Sequence, residues 1–302
     1  MRKFLSFIVL IIIFIFAIIF IRNNINEFSK IPTISFVYIL PLIILTIFIM
    51  FINGLRIKLF GDYYNIKLNI NEWFGLSAIT TMGNHMTPFR GGVAARAFYM
   101  KKIHNFSYTS FLTTIAASYI LRFFIYGLLG VILSLIIYKF YNFFNNILFL
   151  SLVLLTFFSL LIIIVFPIFR QTRNKFLNRI IMILEEWNVM RKNYDFLFKI
   201  LLLDLGIWLI RSLKLFFVFK AFSFDIPFIF ILLISVLSII SVFLSLTPAG
   251  FGVVEAVVAF SAEAIGIGFV SGLYASILDR VITVIVIFIL GPIFSYRLMK
   301  DY

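Results

Sequence analysis

An all-α, polytopic membrane protein is the expected fold class. It should have about seven or eight transmembrane helices, two broken or re-entrant elements and an internal two-fold repeat. Three observations point there. Hydrophobic residues make up 63% of the chain and charged residues 13%, which leaves no mixed stretch long enough for a separate soluble domain. Several apolar runs reach the roughly 20 residues that cross about 30 Å of hydrocarbon. The tract Thr-Pro-x-x-x-Gly-Val occurs twice on one register, at residues 87–93 and 247–253.

Taken in order, an apolar run over residues 4–21 follows Arg2 and Lys3 and lacks a small-residue cleavage site, so it is an uncleaved first helix with a cytoplasmic N-terminus. A second helix covers residues 34–52. Asn53-Gly54 is expected to end it and Arg56, Lys58 and Lys67 to mark a cytoplasmic loop. Residues 70–100 mix small, polar and apolar side chains around the first Thr-Pro tract. Neither arm is long enough to span alone, so a re-entrant hairpin is expected, its irregular backbone facing protein or a wet cavity. Helices at residues 107–138 and 146–169 lead to a basic segment, 170–199, whose apolar spacing over 176–187 suits either a surface-lying helix or a cytoplasmic connector. Helices at 200–222 and 227–246 run into the second tract. A short helix at 253–265 and a last helix at 270–298 complete the chain.

These elements form one membrane domain over residues 1–302. Its repeat halves are approximately 1–138 and 200–302, joined by the 146–169 helix and the basic segment. Each half holds two helices, a broken element and then an arginine-bearing helix. Ala117-Ser118-Tyr119-Ile120-Leu121-Arg122 and Ala275-Ser276-Ile277-Leu278-Asp279-Arg280 extend the match. Broken helices in corresponding positions of two halves are a pointer to a transport site.

Proline lacks an N–H and disfavours helix in the residue before it. Thr87-Pro88, with Gly91 and Gly92, and Thr247-Pro248, with Gly250 and Gly252, therefore interrupt apolar helices. Thr before Pro suits an N-cap followed by the first helical position. The helix starts so formed would present unpaired N–H groups and a positive dipole end to an anion. Ionisable residues at membrane depth are costly and functional by default. Arg96, Arg122, Arg211, Lys214 and Arg280 outnumber Asp204, Glu255, Glu263 and Asp279 there. Arg122 lies roughly 20 Å from either end of its helix, too far to snorkel. Asp204 and Arg211 are two turns apart, and Asp279 and Arg280 are adjacent and point differently, so neither is a good local pair. The set reads either as an anion site built by Arg96, Arg122, Arg211, Arg280 and Glu255, or as salt bridges between the halves. Glu255 would then gate, titrate or pair with an arginine of the other half.

Other classes find little support. Net charge is +14, but the excess sits in short loops, where it sets topology and meets anionic lipid rather than nucleic acid. No cysteine is present, so thiol catalysis and disulfides are excluded. The two histidines, His85 and His104, are isolated in sequence. No metal-ligand spacing, cofactor motif or catalytic constellation stands out, and an enzyme is not expected. The Ile, Phe, Asn and Lys usage suits a bacterial or archaeal cell membrane.

The tract Pro248-Ala249-Gly250-Phe251-Gly252-Val253-Val254-Glu255 resembles the Pro-Gly-Gly-x-Gly-x-x-Glu motif of the lysylphosphatidylglycerol synthase transmembrane-region, or flippase-like, family. Pro88, Gly92 and Arg96 are similar to that family's Pro-Gly-x-x-Gly-Glu-x-x-Arg motif. Ala249 replaces a glycine, and Val93 stands where the family has glutamate. The resemblance implies a stand-alone membrane domain that moves an anionic or aminoacylated phospholipid, or a polyprenyl-phosphate-linked lipid, between leaflets. The head group would bind between the repeats, without a cofactor and without the synthase domain of fused members. The expected partners are membrane lipids with anionic head groups. The alternative is a protein that presents lipid to, or regulates, a separate membrane glycosyltransferase or lipid synthase.

Overall fold

The computed structural model describes residues 34–165 and 175–300. The helix expected at residues 4–21, the side on which the N-terminus lies, and Arg170 and Arg173 fall outside the described residues. Among the described residues there are ten α-helices and no strand. A single 3₁₀ turn, Phe36–Tyr38, enters α1 (Ile39–Tyr63). Then come α2 (Ile70–Met86), α3 (Gly91–His104), α4 (Tyr108–Tyr141), α5 (Asn146–Ile164), α6 (Lys175–Met190), α7 (Tyr194–Ala221), α8 (Phe228–Leu244), α9 (Val253–Ala264) and α10 (Phe269–Lys300).

Four described segments are long and apolar enough to cross a membrane: Phe36–Tyr63, Tyr108–Tyr141, Asn146–Ile164 and Phe269–Lys300. The 28-residue α7 has the length, about 42 Å at 1.5 Å per residue, but carries Asp204, Arg211 and Lys214 in its interior. Polar N-cap side chains cap four of the ten described helices. Asn69 accepts from the Glu72 N–H while the Glu72 carboxylate accepts from the Asn69 N–H, a reciprocal cap at the start of α2. Ser107, Asn145 and Asn193 cap α4, α5 and α7 in one direction only, each side chain accepting from a backbone N–H.

One boundary differs from the sequence expectation. The helix does not end at Asn53-Gly54: α1 continues unbroken to Tyr63, and Arg56 is buried rather than in a loop. Asn53 donates to the carbonyl of Ile49 within the same helix. Gly54 is the seat of the Trp73 ring, where a Cβ would stand 2.6 Å from Cε3. The glycine thus marks a helix crossing, and tertiary packing overrides its low helix propensity.

The described elements fall into two series of the same order, α1–α2–break–α3–α4 and α7–α8–break–α9–α10. The first arms of the breaks, α2 and α8, have 17 residues each. The series interlock: α1 lies on α7, α2 packs along α10, α8 packs along α4, and the two breaks touch each other. Within lipid such association comes from close packing rather than from water exclusion. Gly92 shows how close: a Cβ there would lie 2.0 Å from the carbonyl oxygen of Thr80, so α3 folds back directly on α2.

Between the two series, α6 docks against α4, burying Trp187 and Met190 in a cluster with Phe60, Leu121 and Phe196. Glu186 accepts from the Tyr64 hydroxyl at 3.0 Å and the Ser110 hydroxyl at 2.8 Å. Burial, and then the Glu186 carboxylate, raises the Tyr64 phenol above its ordinary pKa. Part of the basic segment is therefore a packed connector, tied to the adjoining ends of α1 and α4.

Candidate functional site

The two breaks share their backbone as well as their residues. Pro88–Arg90 and Pro248–Gly250 are both single 3₁₀ turns. In both, the third and fourth positions of the tract are left-handed: Phe89 and Arg90 at φ 55° and 58°, Ala249 and Gly250 at φ 47° and 75°. Each threonine holds the N-cap position of its 3₁₀ turn with proline first, as its place suggested, but neither side chain makes a capping hydrogen bond. Thr87 closes α2, its hydroxyl donating to the Gly83 carbonyl at 2.6 Å. The hydroxyl of Thr247 is buried without a partner. The following α-helix begins only after the left-handed pair.

At α9 the cap is Gly252, with φ 81°, and its N–H donates to the Glu255 carboxylate at 2.8 Å. At α3 the Val93 N–H donates to Asn84 Oδ1 at 3.3 Å. A protein acceptor thus takes up one of the free donors at each helix start. Glu255 serves its own terminus, and its second oxygen accepts from Arg280 Nε, within the same series rather than across to the other.

Arg90 occupies a left-handed position that in the second copy belongs to glycine. For an L-residue that conformation costs roughly 1–2 kcal/mol. Its guanidinium donates to the Tyr119 hydroxyl and, at 2.6 Å, to the Val242 carbonyl near the end of α8. It also lies 5.1 Å from the centre of the Tyr119 ring and 5.0 Å from that of Phe243. The first break is thereby fastened to the last turn of α8. We expect Arg90→Gly to be more stable than Arg90→Ala by about 1 kcal/mol, since both lose the guanidinium but only alanine keeps the backbone strain. Thermal unfolding of the two purified variants measures the difference, and equal midpoints would refute it.

Where the breaks meet, a cavity of about 330 Å³ runs between the two series. Polar residues at helical spacing face it: Thr46, Asn53 and Arg56 from α1, Ser118 and Arg122 from α4, Ser276, Arg280 and Thr283 from α10. The α1 stripe from Thr46 to Gly61 extends about 22 Å at 1.5 Å per residue. Among the described residues, seven cationic side chains line the cavity against two carboxylates. The cations are Arg56, Arg90, Arg96, Arg122, Arg211, Lys214 and Arg280, and the carboxylates are Glu255 and Asp279. All five residues expected to bind a head group are therefore on one wall or another of this space. Thr247 and Gly250 of the tracts line it too. Thr87, Gly91, Gly92 and Gly252 shape the turns from outside, and Pro248 starts the second turn.

Among the described residues, four ion pairs tie the helices together around the cavity. Arg122 Nε donates to Asp204 Oδ1 at 2.9 Å, and Arg56 Nη1 stands 3.6 Å from the same oxygen. Lys214 meets Asp279 at 2.8 Å and the Thr283 hydroxyl at 2.7 Å. Arg280 meets Glu255. Asp204 is fully buried. Arg96 lies 5.2 Å from the centre of the Phe111 ring.

Sequence reading missed Arg56, assigned to a loop, and Arg90, although its place inside the first tract was a usable signal. It also missed the group at the open ends of α2 and α3. There Glu72 accepts from the Tyr99 hydroxyl at 3.1 Å and lies 2.8 Å from His104 Nε2. Among the described residues no cluster of three or more His, Cys, Asp or Glu is placed to hold a metal ion.

This is a multi-pass helical membrane protein with an internal, predominantly cationic cavity at the junction of two broken helices. The chain belongs to the lysylphosphatidylglycerol synthase TM region family, which it matches over residues 4–291. Comparison with curated proteins and with solved structures finds no match.

Proposed function

We propose that the protein moves a lipid with an anionic head group between the leaflets of a cell membrane. The head group is held in the cavity between the two series while the acyl or prenyl chains stay in the bilayer. One observation carries the reading: the excess of cations over carboxylates on the cavity wall. Uncompensated charge at membrane depth is costly and is kept where it meets a ligand or an ion. The breaks support it. At 1.5 Å per residue, α2 and α8 are about 26 Å long and α3 and α9 about 21 and 18 Å, all short of the roughly 30 Å hydrocarbon layer. Each pair reads as a re-entrant hairpin with its tip at the cavity. Rocking of one series against the other exposes the site to either side in turn.

The test is reconstitution of the full chain in liposomes containing head-group-labelled lipids, followed by the accessibility of the label from the outer face. Translocation is expected for anionic lipid. It should fall at least about tenfold in Arg122→Ala and Arg280→Ala, each of which removes a charge-assisted contact of 1.5–3 kcal/mol. Folded protein that leaves every lipid on its original side would refute transport. Chemically altered lipid recovered from the vesicles would instead indicate an enzyme.

A further inference from the structure

We propose that the head group held in this cavity carries at least two negative charges on a phosphate monoester or a diphosphate. A zwitterionic or aminoacylated head group does not fit the same site. The proposal rests on the lipid-carrying reading above and narrows its substrate.

Each carboxylate near the cavity already holds a cation: Asp204 holds Arg122, Glu255 holds Arg280, and Asp279 holds Lys214. Among the described residues, four guanidiniums on the cavity wall then remain without a carboxylate of their own. Arg90 is satisfied by a neutral carbonyl and a phenol. Arg56 is only 7% exposed, and its one ionic contact, at 3.6 Å, is with the oxygen that Arg122 already occupies. Its Nε and Nη2 atoms are buried without a partner, as is Nε of Arg211. Arg96 rests on a ring face. These residues come from α1, the first break, α3 and α7, and all four line one cavity. The hydroxyls of Thr80 and Thr247 line it as well, and they too are buried without a partner.

Forked guanidinium donors and unused hydroxyls around one space call for a ligand with several acceptor oxygens and more than one charge. A phosphodiester supplies a single negative charge for four uncompensated cations. An added ammonium finds no unpaired acid on the wall: among the described residues the lining carboxylates, Glu255 and Asp279, already hold Arg280 and Lys214, and Asp204, whose Oδ2 is buried without a partner, does not line the cavity.

The experiment is competition at pH 8 on the purified full chain in detergent. Tail-labelled phosphatidic acid is the bound probe. The competitors are a polyprenyl diphosphate, phosphatidylglycerol, phosphatidylcholine, lysylphosphatidylglycerol and inorganic pyrophosphate. Unlabelled phosphatidic acid and the polyprenyl diphosphate are expected to displace the probe at about tenfold lower concentration than phosphatidylglycerol. The zwitterionic and lysylated lipids should not displace it. Pyrophosphate should compete weakly, showing the shared chemistry without the tail. Arg56→Gln, Arg96→Gln and Arg211→Gln should each shrink the tenfold preference, while Lys199→Gln, on an exposed surface, leaves it intact. Equal displacement by phosphatidylglycerol and the dianions, or displacement by the lysylated lipid as readily as by phosphatidylglycerol, overturns the proposal and leaves lipid binding standing. Pyrophosphate matching the lipids overturns a lipid source. No saturable lipid binding at all overturns both the proposal and the reading beneath it.

Discussion

Asp204→Ala is expected to destabilise the folded protein by about 3–5 kcal/mol, the range for breaking a buried ion pair by removing one partner. Asp204 is fully buried on α7, and its Oδ1 faces both Arg122 of α4 and Arg56 of α1. Its removal leaves two guanidiniums in a low-dielectric interior with no acid between them. The remaining contacts cannot replace it: Arg122 Nη2 reaches Asn53 only at 3.4 Å, and Tyr126 donates to the Asp204 backbone, which alanine keeps. Unfolding of detergent-solubilised protein measures the loss. The double variant Asp204→Ala, Arg122→Leu separates charge from packing, because it removes one of the stranded cations and should recover part of the stability. A single variant within about 0.5 kcal/mol of the parent would refute this account.

The second large effect is expected at Glu255. Glu255→Gln loses the charge opposite Arg280 but keeps an amide oxygen for the Gly252 N–H. Glu255→Ala loses both. Each variant strands Arg280, at a cost of about 3–5 kcal/mol, and alanine adds about 1 kcal/mol for the missing cap. Stability should therefore run parent, then Gln, then Ala. Translocation should fall in both, since Arg280 and the start of α9 both adjoin the cavity. Gln and Ala variants that unfold together would show that the cap contributes nothing. A fully active Ala variant would remove Glu255 from the site.

Much of the site was legible because the breaks are local chemistry. Proline at 88 and 248 cannot donate, and the two tracts, 160 residues apart, fold into matching turns with left-handed residues at matching positions. The weak local pairing of Asp204 with Arg211 and of Asp279 with Arg280 was also legible from helical geometry. The structure gives Asp279 to Lys214 and Arg280 to Glu255. Arg56 was not legible. A run of Asn53, Gly54 and Arg56 reads as a helix end until Trp73 is seen to occupy the glycine. The cap of α9 was not legible either, because the residue that looked like a cap by type, Thr247, precedes the turn instead of the helix.

What the sequence determined by itself is the membrane class, the two interruptions and the surplus of positive charge at depth. Each depends on composition or on residues within a few positions of one another. What only the tertiary structure decided is which cations are neutralised. Arg122 meets Asp204 across 82 residues, Lys214 meets Asp279 across 65, and Arg90 reaches Val242 across 152. The strength of such a contact falls off with distance in space and is blind to distance along the chain. The charge left over for a ligand therefore emerges only once the helices are packed.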